Sequence, residues 1–181
     1  TLSDFYQTLK TLYYTLVASH FNNHLLLWGH GLEQIFIMQK RAVRIIEGKH
    51  RLAHTGPIFK TLQIIKLPDL FHLAALKFYY KFYHSKLPQP LLTFKINQNS
   101  TSHSYRTRQR NRLAIPVHKS YLFERSVTYS IIKYINNLSI QSFECIINNS
   151  FATVVTKFKK NVINNYATIC STRNCYSCSF Q

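Results

Sequence analysis

Apolar residues recur at intervals of three and four along most of the chain, a spacing that predicts amphipathic helices rather than strands. Gly48 follows one of these stripes directly, as expected of a glycine that ends a helix. We therefore expect a mostly α fold, an irregular assembly of five or six helices with little or no β. The predicted helices cover residues 2–19, 32–46, 55–62, 68–85, 143–148 and 151–169.

The remaining segments carry weaker or mixed patterns. Residues 97–111 are polar and predict a loop, and residues 113–117 resemble a short strand that Pro116 interrupts. Between 121 and 138 a strand-like stretch, 126–129, precedes a helical one, so both interpretations stay open. The expected organisation is a thumb-like helical region at 1–96, a basic loop or linker at 97–112, a C-terminal helical extension at 113–169 and a cysteine-containing tail at 170–181.

The charge is strongly positive, with 23 Lys and Arg against 6 Asp and Glu, a formal net charge of +17. Nucleic acid is the commonest partner for such a chain, an anionic membrane surface is the second, and a basic domain with no specific ligand is the third. No apolar run approaches the ~18 to 20 residues that a transmembrane helix needs. Because the chain starts at Thr1 and Met38 is its only Met, we expect a piece of a longer reading frame, or else a processed chain.

The sharpest basic signal lies between residues 103 and 112, a segment that we call the arginine loop. Arg106, Arg108, Arg110 and Arg112 alternate there, so all four would point to one side of an extended chain. Guanidinium groups at that repeat suit a phosphate backbone, and Tyr105 is placed to stack on a base. The alternative is a solvated basic loop.

A second group of cations, Lys40, Arg41 and Arg44, is predicted on the polar face of the 32–46 helix. We include these three residues among the candidates for nucleic-acid binding. For a smaller group of lysines at 157–160, phosphate binding and a solvated helix face both stay open. The aromatic stripe at 78–83 is predicted to pack in the core rather than to stack on bases.

Catalytic chemistry has little support in the sequence. The six acids are dispersed, whereas polymerases cluster two or three carboxylates around magnesium. We therefore predict neither catalytic residues nor a metal site in this chain. Cys170, Cys175 and Cys178 would need Cys145 as a fourth zinc ligand; reduced thiols are the favoured alternative.

Several short motifs occur in a characteristic order: Leu26-Leu27-Trp28-Gly29, residues 39–46, His54 to Phe59, Leu62 to Leu70 and Leu87-Pro88. In this order and spacing they resemble the C-terminal, post-catalytic region of reverse transcriptases from non-LTR (LINE-type) retrotransposons. Further matches are His103-x-Tyr105-x-Thr107-Arg108, Ile115-Pro116 and the ending Asn174-Cys175-Tyr176-x-Cys178. Asn136 and Leu138 match a Trp-Asn-x-Leu segment of the family, but Ile135 stands where the Trp is expected.

The resemblance implies a parent polyprotein with an endonuclease and an RNA-directed DNA polymerase. This chain would be its thumb-like, non-catalytic C-terminal part, binding template–primer RNA and DNA beside the palm and fingers of the same polypeptide. It would hold no cofactor, since the magnesium of the parent enzyme would sit on palm carboxylates upstream. An intracellular location, nucleus and cytoplasm, with no membrane partner is implied. The alternative function is a helical protein-interaction module from a decayed element copy, and a third possibility, a standalone enzyme, would need acids gathered by folding.

Overall fold

A computed structural model describes residues 2–22, 25–28, 31–91, 95–102, 105, 108–110, 112–138, 144 and 146–166. Its helices are α1 (Leu2–Leu12), a π-helical segment (Tyr13–Ala18), α2 (Ser19–Asn22), α3 (Leu25–Trp28), α4 (Leu32–Ile46), α5 (Thr55–Leu62), α6 (Leu67–Tyr83), a 3-10 turn (Gln89–Leu91), α7 (Asn99–Ser102), α8 (Tyr121–Glu124), α9 (Val127–Asn136) and α10 (Phe151–Asn164).

The mostly α prediction is confirmed, with six helices of seven residues or more and no sheet in the described part of the chain. The strand-like interpretation of residues 126–129 is wrong, because Ser126 begins a helix. Its Oγ accepts a hydrogen bond from the Tyr129 backbone N–H at 3.2 Å, so Ser126 is the N-cap of α9. At 113–117 the β character is limited to one antiparallel bridge between Gln98 and Leu113.

Three long helices end in the same way, at a residue in the left-handed region. Gly48, Gln63 and Ser85 have φ of 61°, 56° and 53° and follow α4, α5 and α6. In each case the next residue's N–H bonds back to the carbonyl five residues earlier, as in Lys49 to Arg44 at 2.9 Å. The predicted C-cap at Gly48 is thus confirmed, and the other two ends use side-chain-bearing residues in a conformation that favours glycine.

The predicted helix at 2–19 is interrupted. Residues 13–18 form π-helical turns between α1 and α2. Hydroxyl groups on this stretch bond back to backbone carbonyls one turn earlier, including Thr15 Oγ1 to Thr11 O at 3.0 Å. The same kind of bond occurs within α1, from Thr8 to Asp4 and from Thr11 to Gln7, so it is compatible with regular α geometry as well.

The chain divides into two compact units. One comprises the described residues of Thr1–Phe71 and Thr156–Gln181, and the other those of His72–Val155. No helix among the described residues is long and apolar enough to cross a membrane.

The first unit is organised around the fully buried amide of Gln39 on α4. Its Nε2 donates to the Tyr13 hydroxyl at 2.8 Å and to the Ile65 carbonyl at 2.9 Å, and its Oε1 accepts from the Leu67 N–H at 2.9 Å. Every polar atom of this amide therefore has a partner, as burial requires. Burial raises the pKa of Tyr13 to about 12, so the hydroxyl stays protonated near neutrality.

A second buried network in the same unit fixes the end of α10. The Tyr166 hydroxyl donates to Asp69 Oδ2 at 2.6 Å and accepts from the Lys66 N–H at 3.0 Å. Burial first, and then the Asp69 carboxylate, raises the pKa of Tyr166. Lys60 Nζ donates to the carbonyls of Asn164 and Tyr166 at 3.0 and 3.2 Å, which gives a partner to the last carbonyl of α10 and to one beyond it.

The second unit contains the aromatic stripe of α6. Tyr79 and Tyr80 are buried, which confirms the prediction that this stripe packs in the core. The Tyr80 hydroxyl donates to the Asn149 carbonyl at 3.2 Å, and its ring lies 5.2 Å from that of Phe151. Buried isoleucines of α9 belong to the same unit: Ile131, Ile132 and Ile135.

Candidate nucleic-acid interface

The cations predicted on α4 do not share one exposed face. Lys40 is only 8% exposed, and its Nζ lies 4.5 Å from the centre of the Phe36 ring. Lys40 therefore differs from the sequence prediction, because it follows the buried residue Gln39 on the helix and packs its stem along the core edge. Its cation interacts with an aromatic face instead of lying on the exposed helix surface.

Arg44 is also engaged within the first unit. Its Nε donates to the Ala53 carbonyl at 2.8 Å, which ties the α4–α5 connection to the helix. Arg41 is exposed, as are Lys49 and Arg51 just beyond the helix. Of the three predicted residues, Arg41 is thus the one that the described surface presents openly.

The arginine loop lies in the second unit, and hydrogen bonds close its base. Asn99 N–H donates to Arg112 O at 2.9 Å, Ser100 N–H to Arg110 O at 3.0 Å, and Ala114 N–H to Asn97 O at 2.7 Å. Asn99 also donates its side-chain Nδ2 to Gln109 O at 2.9 Å. We call residues 97–100, together with residues 110 and 112–114 that pair with them, the neck of the loop.

The extended geometry predicted for the four arginines is not observed at residues 108–112. Arg112 N–H bonds to Gln109 O at 3.0 Å, so the chain turns between these residues. Asn99 and Ser100 donate hydrogen bonds to the carbonyls of Gln109 and Arg110, and these bonds stabilise the turned backbone. Strict alternation therefore does not place the guanidinium groups on one side here.

The side chains of the arginine loop are nevertheless accessible. Tyr105 is 79% exposed, Arg108 and Arg112 are exposed and Arg110 is partly exposed. Arg106 lies outside the described residues, and its part in the prediction stays a prediction. An exposed ring with neighbouring guanidinium groups can offer stacking and phosphate contacts together.

Two further cations in the described part of the chain lie over aromatic rings. Lys66 Nζ lies 4.4 Å from the Tyr166 ring centre, and the Arg125 guanidinium carbon lies 4.8 Å from that of Tyr121. With only 6 acids for 23 Lys and Arg, aromatic quadrupoles are a ready substitute for anionic partners. Several of the positive charges are therefore explained by packing, which makes the exposed ones more informative about function.

Two of the acids have local partners that explain them. Asp69 accepts from Tyr166, and Glu124 Oε1 lies 3.2 Å from Nε2 of His118. In the part of the chain that the structure describes, no three His, Cys, Asp or Glu side chains come together as a metal site. The cysteines proposed as zinc ligands all lie outside it, so that alternative stays a prediction.

Sequence reasoning missed a contact that fixes the neck of the loop. Asn136, the last residue of α9, bonds through its side chain to both backbone groups of Leu113, each at 2.9 Å. Periodicity gave no signal for it, because an asparagine near a helix end is more simply read as a cap.

Comparison with protein-family models, with curated proteins and with solved structures finds no match for this chain. The functional argument therefore depends on its own residues and on the ordered motifs.

Proposed function

We propose that this chain is a non-catalytic, nucleic-acid-binding part of a reverse transcriptase of the LINE type, contacting template–primer RNA and DNA. The observation that carries the proposal is the arginine loop, where Tyr105, Arg108 and Arg112 are exposed on a backbone closed by hydrogen bonds. The net charge of +17 supports a polyanionic partner. The ordered motifs support the family.

Arg41, Lys49 and Arg51 supply further exposed cations in the first unit and join the proposed surface residues. Lys40 and Arg44 are left out of direct phosphate contact in this proposal, because their cationic groups already serve packing contacts. In this proposal the polymerase reaction and its magnesium belong to carboxylates of the parent enzyme's palm, outside this chain.

The test is a salt titration of binding to a fluorescein-labelled single-stranded RNA, followed by anisotropy. Replacing Arg106, Arg108, Arg110 and Arg112 with Ala should reduce the slope of log K against log salt by up to about 3, near 0.7 per lost phosphate contact. The matched control replaces Lys81, Lys119, Lys159 and Lys160, four exposed lysines outside the loop. An equal loss of slope in both variants would mean that net charge, not the loop, binds RNA.

The second candidate is a helical protein-interaction module, and it is favoured by exposed apolar side chains. Phe5 and Leu12, two turns apart on α1, are 66% and 46% exposed. Such a stripe is a typical docking face when a partner covers it. Sedimentation of the purified chain decides between the two: a monomer that binds RNA with a steep salt slope argues against the module, whereas self-association without RNA binding favours it.

A further inference from the structure

In the neck of the arginine loop, Leu113 lies between two residues whose backbone groups bond across the neck. Both neighbours of Leu113 bond to the opposite stretch: the Arg112 carbonyl accepts from the Asn99 N–H, and the Ala114 N–H donates to the Asn97 carbonyl. Leu113 itself faces Gln98 across an antiparallel bridge. In this arrangement its own N–H and C=O point away from that strand, as they do in a non-hydrogen-bonded antiparallel pair.

The Asn136 side chain fills that open edge. Its Oδ1 accepts from Leu113 N–H and its Nδ2 donates to Leu113 O, both at 2.9 Å, so one amide imitates a neighbouring strand. Leu113 is buried, which makes both backbone groups expensive to leave without a partner. The amide comes from α9, a helix whose isoleucines are buried, so its position is fixed by packing.

We infer that Asn136 is a positioning residue that holds the arginine loop in its binding geometry through the backbone of Leu113. The inference rests on the proposed function, since it assigns a role in nucleic-acid binding. Arg112 is the residue next to Leu113, and Arg110 bonds to Ser100 within the same neck. Loosening the neck would therefore let exposed guanidinium groups adopt more conformations and raise the entropic cost of binding.

The test uses the whole 181-residue chain and three variants. Asn136→Ala removes both hydrogen bonds. Asn137→Ala is the matched control, because Asn137 is the exposed neighbour whose backbone N–H, not its side chain, bonds at the helix end. Each is measured for binding of the labelled RNA and for amide hydrogen exchange at Leu113, with circular dichroism to check folding.

The expected result is that Asn136→Ala accelerates exchange at Leu113 by about tenfold and weakens RNA binding by about fivefold, whereas Asn137→Ala changes neither. The same substitution in a chain with Arg108, Arg110 and Arg112 replaced by Ala should weaken the residual binding less than about twofold. An unchanged affinity, or an equal loss in both backgrounds, would overturn the inference.

A third variant separates positioning from a general loss of structure. Asn136→Asp keeps the side-chain shape, but at neutral pH its carboxylate faces the Leu113 carbonyl and cannot donate. Protonation restores an O–H donor, so binding by Asn136→Asp should recover toward the unmodified chain as pH falls toward about 4, the ordinary Asp range, while Asn136→Ala should not. Parallel pH curves for the two variants would contradict the role of the hydrogen bond.

Failure of the proposed function gives a different pattern. If the unmodified chain binds no RNA, the function and the role of Asn136 in binding both fail, but exchange at Leu113 still shows whether the amide holds the neck. If the chain binds RNA through the arginines and Asn136→Ala binds equally well, only the inference fails.

Discussion

Basic residues have different roles in helix α4 and in the arginine loop: two cations of α4 pack within the fold, and two of the loop are exposed. In α4, Lys40 lies over the Phe36 ring and Arg44 bonds to a backbone carbonyl, so both cations contribute to packing in the first unit. In the loop of the second unit, backbone groups make the described contacts and Arg108 and Arg112 extend into solvent. Charge on a sequence indicates binding only where the fold leaves it exposed.

The two regions also distribute their polar groups differently. The first unit buries an amide with all its hydrogen bonds made, at Gln39, and a phenol bonded on both sides, at Tyr166. The loop relies on backbone pairing at its neck and on two side-chain amides, those of Asn99 and Asn136. We expect substitutions in the first region to change stability and those in the second to change binding.

The largest expected effect is at Gln39. Gln39→Leu keeps the volume similar but leaves the Ile65 carbonyl, the Leu67 N–H and the Tyr13 hydroxyl without their partner in the core. Each orphaned group costs roughly 1–3 kcal/mol, so we expect a loss of about 3–5 kcal/mol in the free energy of unfolding. Urea denaturation followed by circular dichroism measures it.

The control for this prediction lies on the same helix. Gln34 is exposed, and Gln34→Leu should change the free energy of unfolding by no more than about 0.5 kcal/mol. Similar losses for the two variants would mean that the Gln39 network does not organise the first unit.

A pair of alanine substitutions tests the comparison directly. Lys40→Ala removes a buried stem and a cation over Phe36, so it should lower the free energy of unfolding by about 1–2 kcal/mol with little change in RNA affinity. Arg108→Ala should do the reverse, weakening RNA binding several-fold at an unchanged unfolding midpoint. A Lys40→Ala variant that is stable but fails to bind RNA would place Lys40 on the binding surface after all.

Much of the fold followed from periodicity, because α4, α5 and α6 have long apolar stripes and recognisable ends. The helix stop at Gly48 was predictable from glycine alone. The ends at Leu62 and Tyr83 were predicted to within two residues, but not the left-handed conformation of Gln63 and Ser85, which adopt it despite their side chains. Such residues reveal themselves only through backbone geometry.

The candidate site was predictable in part, for a related reason. Composition located the arginine loop, but the turn at Gln109 depends on bonds from Asn99 and Ser100. Likewise, the burial of Lys40 depends on how far the buried face of α4 extends beyond Gln39, which a stripe of residues does not fix. Neither long-range hydrogen bonds nor the exact edge of a buried helix face can be predicted from the spacing of apolar residues in the sequence.

The helix ends provide a smaller test, with one site in each unit. Ser85→Gly should stabilise the chain by about 0.5–1 kcal/mol, because glycine adopts positive φ without the steric cost of a side chain. Gln63→Gly should help less, since it also removes a bond from Nε2 to the Lys60 carbonyl at 2.8 Å. Gly48→Ala is the opposite control and should cost about 1 kcal/mol at its φ of 61°.

The smallest expected effect concerns His118, in the segment that follows the arginine loop. Both ring nitrogens lie near acceptors, Nδ1 at 3.1 Å from the Pro116 carbonyl and Nε2 at 3.2 Å from Glu124 Oε1. The Pro116 carbonyl most, and then Glu124, raise the pKa of His118 above its ordinary value. The doubly protonated ring is therefore the form that suits the folded state, since only it can donate to both acceptors.

The sign of the pH effect follows from that shift. A histidine with a raised folded pKa adds stability that is complete below the unfolded pKa, near 6.5, and that disappears as pH rises through the folded value. The difference in unfolding free energy between the unmodified chain and His118→Gln should therefore decrease from about pH 6 to about pH 8. Glu124→Gln should keep part of that decrease, because the Pro116 carbonyl remains. If the difference in unfolding free energy instead increases with pH, the folded state favours the neutral His118 ring. His118 would then not add a positive charge to the second unit near neutral pH.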